Sequence, residues 1–153
     1  MAELNNCLFP DDLYYSLENN VWAQDMGDGS FRIGLTDVAQ TLAGSLIHCK
    51  LQPAGKAVKK GKSLATVESG KWVGPVKSPF TGDILETNPA AESTPTLLNK
   101  SPYKQGWIVR IKPSSLDEDK GSLVKGAEVL THYKAYMADK QVSGCIHCEG
   151  FEG

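Results

Sequence analysis

The chain has 153 residues, 41% of them hydrophobic and 22% charged, which suits one domain with its own core and excludes a disordered segment. With 16 basic and 18 acidic residues the net charge is -2, which excludes a general pull toward nucleic acid or an anionic membrane surface. No apolar run approaches the roughly 20 residues that span a bilayer. The opening residues 1–7 lack a signal-peptide pattern, and Cys7, Cys49, Cys145 and Cys148 are not the dense framework of a small secreted domain, so a cytoplasmic protein is expected.

Residues 9–35 open on the cap-like Pro10-Asp11-Asp12, pass Trp22, turn at Gly27-Asp28-Gly29 and resume in the alternating Phe31-Arg32-Ile33-Gly34-Leu35, a predicted hairpin. A helix is expected over 36–44, capped by Thr36, with Val38, Leu42 and the alanines on one face and Gly44 at its end. From 44 to 112 short strand patterns alternate with Gly and Pro signals. These patterns cover 45–51, a run ending at Val67, then 73–77, 83–88 and 107–112, while 89–106, with Pro89, Pro95 and Pro102, reads as looser. Strands at this spacing predict a mainly β fold built as a small barrel or sandwich. Residues 113–140 read as helical, firm from about 128 to 138. Leu123, Ala127, Leu130 and Met137 fall near one face, with Tyr133 and Tyr136 beside them. Residues 1–140 are expected to form one domain and 141–153 a mobile tail.

Within the strand region, Val67-Glu68-Ser69-Gly70-Lys71-Trp72-Val73 breaks a strand pattern at Gly-Lys and then turns apolar again. This reads as a hairpin tip presenting Lys71, with Gly70 free to take a φ closed to its neighbours. Lysines are common in turns, so the pattern alone leaves a plain polar turn open. Glu68 and Ser69 carry the same two readings, recognition residues or turn formers. Trp72 either stands exposed beside the lysine as an interface residue or packs inward beneath the hairpin.

Several further stretches carry a resemblance when taken in order: Ile33-Gly34-Leu35-Thr36-Asp37-Val38-Ala39-Gln40, Val58-Lys59-Lys60-Gly61, Val67-Glu68-Ser69, Ser78-Pro79-Phe80-Thr81-Gly82-Asp83-Ile84, Leu98-Asn99-Lys100-Ser101-Pro102-Tyr103 and Gly106-Trp107. With them, residues 9–139 resemble the H protein of the glycine cleavage system, a lipoyl carrier. The resemblance implies a flattened barrel or barrel-sandwich hybrid with flanking helical segments. It also implies a non-catalytic role, lipoate in amide linkage on Lys71, and recognition of Glu68 and Ser69 by a lipoate-attaching enzyme. The chain departs from that pattern at Asn20 and Val21, where a His-Glu pair normally precedes the tryptophan, and at Gly70 and Trp72. The stretch from Glu68 to Pro75 is more similar to lipoate-binding proteins of bacterial sulfur oxidation. Those proteins imply a heterodisulfide-reductase-like complex as partner, in place of the glycine cleavage enzymes, and sulfur with electrons as cargo.

The tail carries Cys145-Ile146-His147-Cys148. Its C-x-x-C can exchange disulfide with a lipoyl arm, can be incidental, or can supply half of a zinc site completed by Cys7, Cys49, His48, His132 or another chain; no metal site is assigned. A biotin carrier would need a Met-Lys-Met tip, which is absent. No phosphate loop or activated Ser-His or Cys-His pairing marks a hydrolase or transferase. A freestanding redox protein centred on the tail is the remaining alternative.

Overall fold

A computed structural model describes residues 1–126 and 128–153. Ala127, placed above on the helical face, lies outside the described residues. The order of elements is β1 (Ala2–Leu4), β2 (Cys7–Phe9), β3 (Tyr14–Ser16), β4 (Val21–Asp25), β5 (Phe31–Leu35), α1 (Asp37–Ala43), β6 (Leu46–Leu51), β7 (Ala57–Val58), β8 (Ser63–Ser69), β9 (Val73–Lys77) and β10 (Gly82–Thr87). It continues with α2 (Pro89–Ser93), α3 (Leu97–Lys100), β11 (Trp107–Pro113), α4 (Leu116–Lys120), β12 (Val124–Lys125) and α5 (Glu128–Asp139).

The local rules explain most of these elements. Gly27 and Gly29, both at positive φ, turn β4 into β5, and the Met26 N–H closes that turn on the Ser30 carbonyl at 3.0 Å. Thr36 caps α1 by accepting the Ala39 N–H at 3.1 Å. In β8, Val67 and Ser69 point inward while Thr66 and Glu68 point out, the period-2 pattern of a half-buried strand. The segment 89–106 is more ordered than its prolines suggest. Asn88 caps α2 through the Ala90 N–H, with Pro89 in the first turn, and α3 follows.

The strands form a seven-stranded sheet in the order β12-β3-β4-β5-β11-β10-β7, a three-stranded sheet β6-β8-β9 and the small β1-β2 pair. Side chains of the two larger sheets meet in one core, Val21, Ile33, Ile84 and Ile111 from one and Leu46, Leu64, Val67 and Val76 from the other. The fold is therefore a mainly β barrel-sandwich whose sheets stay open at their edges. The first 35 residues hold strands only, and the N-terminal helical element is α1. A second apolar cluster lies under α5, where Val129, Tyr133 and Met137, four residues apart, meet Phe9, Tyr15 and Trp22.

The tail departs from expectation. Instead of hanging free, it is docked by a disulfide between Cys145 and Cys7 and by the Cys145 N–H donating to the Asn5 carbonyl at 3.1 Å. Asn6 Nδ2 donates to the Cys145 carbonyl at 3.1 Å, and a Cβ on Gly144 would lie 2.6 Å from the Asn5 carbonyl oxygen, so that approach requires glycine. Further along, His147 Nε2 meets the buried Asp37 carboxylate at 2.8 Å, the His147 ring stacks on Phe151, and Ser101 Oγ donates to Glu152 at 3.0 Å. The tail's polar groups are thus paired with the body of the molecule, which is why it packs rather than frays.

Candidate functional site

The β8–β9 hairpin reverses at Ser69-Gly70-Lys71-Trp72, closed by the Ser69 N–H donating to the Trp72 carbonyl at 2.7 Å. Ser69 is 5% exposed, and its Oγ accepts the Lys71 N–H at 3.3 Å. Its chemistry here is that of a turn former. Glu68 is exposed and free to be read from outside. Gly70 is exposed but not at positive φ, and a Cβ there would meet nothing within 4 Å. The expectation of a special glycine backbone is thus corrected, and Gly70 contributes an open approach. Trp72 is 42% exposed and lies outside the hairpin over Gly74, where a Cβ would come within 2.4 Å of its ring. It does not pack beneath the turn.

Lys71 is exposed, and among the described residues its amine makes no ion pair. Its side chain crosses Gly44, the residue that ends α1 at φ 82°, and a Cβ on Gly44 would lie 2.9 Å from Lys71 Cε. The glycine cradle is held by Asn99. Asn99 Nδ2 donates to the Gly44 carbonyl at 2.8 Å and to Gln40 Oε1 at 3.1 Å, and Asn99 Oδ1 accepts the Leu46 N–H at 2.9 Å. One buried amide thereby fixes the junction of α1 and β6 under the lysine. Neither the cradle nor the clamp was legible as a site feature, although Gly44 stood out as a helix terminator and Asn99 lies in the Leu98–Ser101 run that carries the family resemblance.

Two cavities flank the turn. One, of about 450 Å³, is lined by Lys71, Gly44, Thr41, Asn99, Ile146 and Cys148. The other, of about 350 Å³, is lined by Asn20, Leu42, Trp72, Tyr136 and Lys140 among others. Asn20, itself at φ 56°, donates to Tyr136 Oη at 2.9 Å and accepts from Tyr133 Oη at 2.9 Å, while Val21 is fully buried. An exposed primary amine lying over a glycine cradle, with room on both sides, fits an amide-linked acyl arm.

The cysteines are not arranged as the C-x-x-C suggests. Cys145 is bonded to Cys7 across a separation of 138 residues, and Cys148 is free and exposed. A Cys145–Cys148 couple is therefore not the resting state, and Cys7 is not available to a metal. Among the described residues no group of three or more His, Cys, Asp or Glu side chains could hold a metal ion. Cys49 faces the core, with burial pushing its thiol up to about 12, while His48 points outward. Among the described residues no helix is long and apolar enough to cross a membrane.

Residues 13–136 match the glycine cleavage H-protein family. The chain is 50% identical over 137 residues to glycine cleavage system H protein 5 of Aquifex aeolicus, covering 85% of this chain and 92% of that one. It is 42% identical over 143 residues to H protein 2 of the same organism, covering 94% and 89%. A probable H protein 2 of Saccharolobus solfataricus is 39% identical over 145 residues, covering 94% and 97%. Among solved structures, an H protein from Mycobacterium marinum superposes with a TM-score of 0.74 at 30% identity, covering 82% of this chain and 99% of that one. The chain belongs to the glycine cleavage H-protein family, whose members are non-catalytic carriers of lipoate on a lysine.

Proposed function

We propose that this protein is a lipoyl carrier whose arm is attached at Lys71 and that it serves glycine cleavage enzymes, carrying the aminomethyl group between them. The observation that carries this reading is the exposed amine, without an ion pair among the described residues, at the tip of a two-stranded turn and laid over Gly44. When bound, the lipoyl group would supply a dithiolane that accepts a group or electrons by thiol–disulfide chemistry. The chain's residues do the rest. The β8–β9 hairpin holds the amine outward, Ser69 fixes the turn, and Glu68 and Trp72 are the side chains an attaching enzyme meets. Tethering at Lys71 gives a reach on the order of 14 Å beyond the amine, if the arm's bonds resemble those of extended backbone. Each transfer then becomes a local encounter at raised effective concentration.

One observation favours a second cargo. An aminomethyl amine is cationic, yet the cavity beside Trp72 is lined by neutral side chains and by Lys140, with no carboxylate among its described residues. With Asn20 lining it where the family has the first residue of its His-Glu pair, and Val21 buried in the core away from it, that cavity offers no counter-charge to an ammonium among its described residues. It suits a neutral or anionic sulfur cargo passed to a heterodisulfide-reductase-like complex. The test is incubation with lipoate and a lipoate-attaching enzyme, followed by intact and peptide mass. One lipoyl group on the Lys71 peptide, and none in Lys71→Arg, is expected; an unlabelled Lys71 refutes the carrier reading. The labelled protein, offered separately to glycine with its decarboxylase and to a reduced sulfur compound with the reductase complex, then reports its cargo as a mass adduct on the arm.

A further inference from the structure

The free thiol of Cys148 and the amine of Lys71 line the same groove, and three residues before Cys148 the tail is cross-linked to Cys7. Accepting Lys71 as the point of attachment proposed above, we propose that the Cys7–Cys145 disulfide is a second two-electron centre. It would exchange with a dithiol carried on Lys71, with Cys148 as its point of entry.

Access dictates the route. Cys7 is fully buried and Cys145 is 6% exposed, so both sulfurs are shielded from a thiolate arriving from solvent while the tail is docked. Cys148 is exposed, and residues 145–148 carry no helix or strand that would hold the two tail cysteines apart. A C-x-x-C spacing permits a disulfide between them. In the first step the Cys148 thiolate attacks Cys145 Sγ. The Cys145–Cys148 bond forms and the Cys7–Cys145 bond breaks. The Cys7 sulfur leaves as a thiolate and takes up the proton that Cys148 released. No electrons enter or leave the chain.

In the second step the Cys145–Cys148 disulfide, now on the groove side, is reduced by the dithiol. Its S–S bond breaks, each cysteine sulfur gains one electron and one proton, and the dithiol's two sulfurs join as a cyclic disulfide. Two electrons and two protons move, and no other reactant is consumed. Ring closure on the dithiol side is intramolecular, and rooting the dithiol in the same groove raises its effective concentration at Cys148. Both cross-linked residues lie outside the stretch 13–136 that matches the family. The point of entry, Cys148, lines the same groove as Lys71, within the arm's reach. Opening the disulfide would leave the groove wall held only by non-covalent contacts such as His147–Asp37 and the 2.9 Å bond from Gln40 to the Ile146 carbonyl.

The experiment starts from full-length chain lipoylated at Lys71, verified by the mass of that peptide. The arm is reduced with NADH and a dihydrolipoyl dehydrogenase, thiols are trapped by acid quench and alkylation, and the Cys7, Cys145 and Cys148 peptides are mapped over time. The expected result is that Cys7 and Cys145 become alkylated in the lipoylated protein. They should do so at least about tenfold more slowly in Cys148→Ser and stay cross-linked in Lys71→Arg. A cross-link that survives a fully reduced arm overturns the proposal. Opening at the same rate in Cys148→Ser or in Lys71→Arg overturns it as well. A Lys71 peptide that gains no lipoyl mass removes the carrier reading itself, and that outcome is read before any thiol is counted.

Discussion

Replacing Gly44 by alanine imposes two costs that can be measured apart. Gly44 sits at φ 82° and ψ -172°, a region nearly reserved for glycine, and is pinned there by its N–H on the Gln40 carbonyl at 3.1 Å and by Asn99 on its own carbonyl. Holding a residue with a Cβ in such a conformation costs on the order of 1–3 kcal/mol. The new Cβ would also lie 2.9 Å from Lys71 Cε. That atom is near the end of a flexible, exposed chain, which can rotate away for about 0.5–1.5 kcal/mol at most. The backbone term therefore governs stability, and the steric term moves the amine. Denaturant unfolding should show a loss of about 1–3 kcal/mol in Gly44→Ala. Most of that loss should remain when the substitution is made on a Lys71→Ala background, which removes only the contact term of at most about 1.5 kcal/mol. The rate of lipoyl attachment to Lys71 should fall in Gly44→Ala, because the side chain has lost its seat. An unchanged unfolding midpoint refutes the backbone argument. A loss that vanishes on the Lys71→Ala background transfers the whole cost to the contact.

Asn99→Ala leaves the buried Leu46 N–H and the Gly44 carbonyl without their partner, and should cost about 1–3 kcal/mol for each group left unsatisfied, read by the same unfolding assay. A loss below about 0.5 kcal/mol would remove Asn99 from the support of the site. Cys7→Ala with Cys145→Ala opens a cross-link spanning 138 residues, for which chain entropy gives about 5 kcal/mol. A loss of about 3–5 kcal/mol is expected, and one below about 1 kcal/mol would mean the unfolded chain is not the state constrained. Burial holds the hydroxyls of Tyr15, Tyr103 and Tyr133 above their ordinary value of 10.0, and pushes the Cys49 thiol from 9.0 up to about 12. The folded state keeps protons that the unfolded state releases, so this stability is complete below pH 9 and is lost as pH rises from there. Phenolate absorbance from the buried tyrosines should therefore appear together with unfolding, and its appearance at ordinary pH in intact protein would contradict their burial.

What the sequence disclosed and what it hid divide along the distance between interacting residues. The helix 36–44 was readable because Thr36 and Gly44 act on their own turn, and Phe31-Arg32-Ile33-Gly34-Leu35 because alternation is a local property. The lysine-bearing turn was readable for the same reason, since Ser69, Lys71 and Trp72 bond to one another. At 88–93 the signal is local too, since Asn88 followed by Pro89 is a helix start, but Pro89, Pro95 and Pro102 together mimic a broken segment. The tail was opaque for a different reason. Its partners, Asn5, Asn6, Cys7, Asp37, Thr41 and Ser101, lie 51 to 140 residues away, and no spacing rule reaches that far. Cys145 and Cys148 invited pairing because they are neighbours, yet the fold brings Cys7 to Cys145 and leaves Cys148 beside the lysine. Spacing had identified two sulfurs that can react with each other, and the fold decides which bond they hold at rest. A C-x-x-C split in this way, with one sulfur locked and the other in the groove that Lys71 lines, connects the tail's chemistry to the site that local rules had already located.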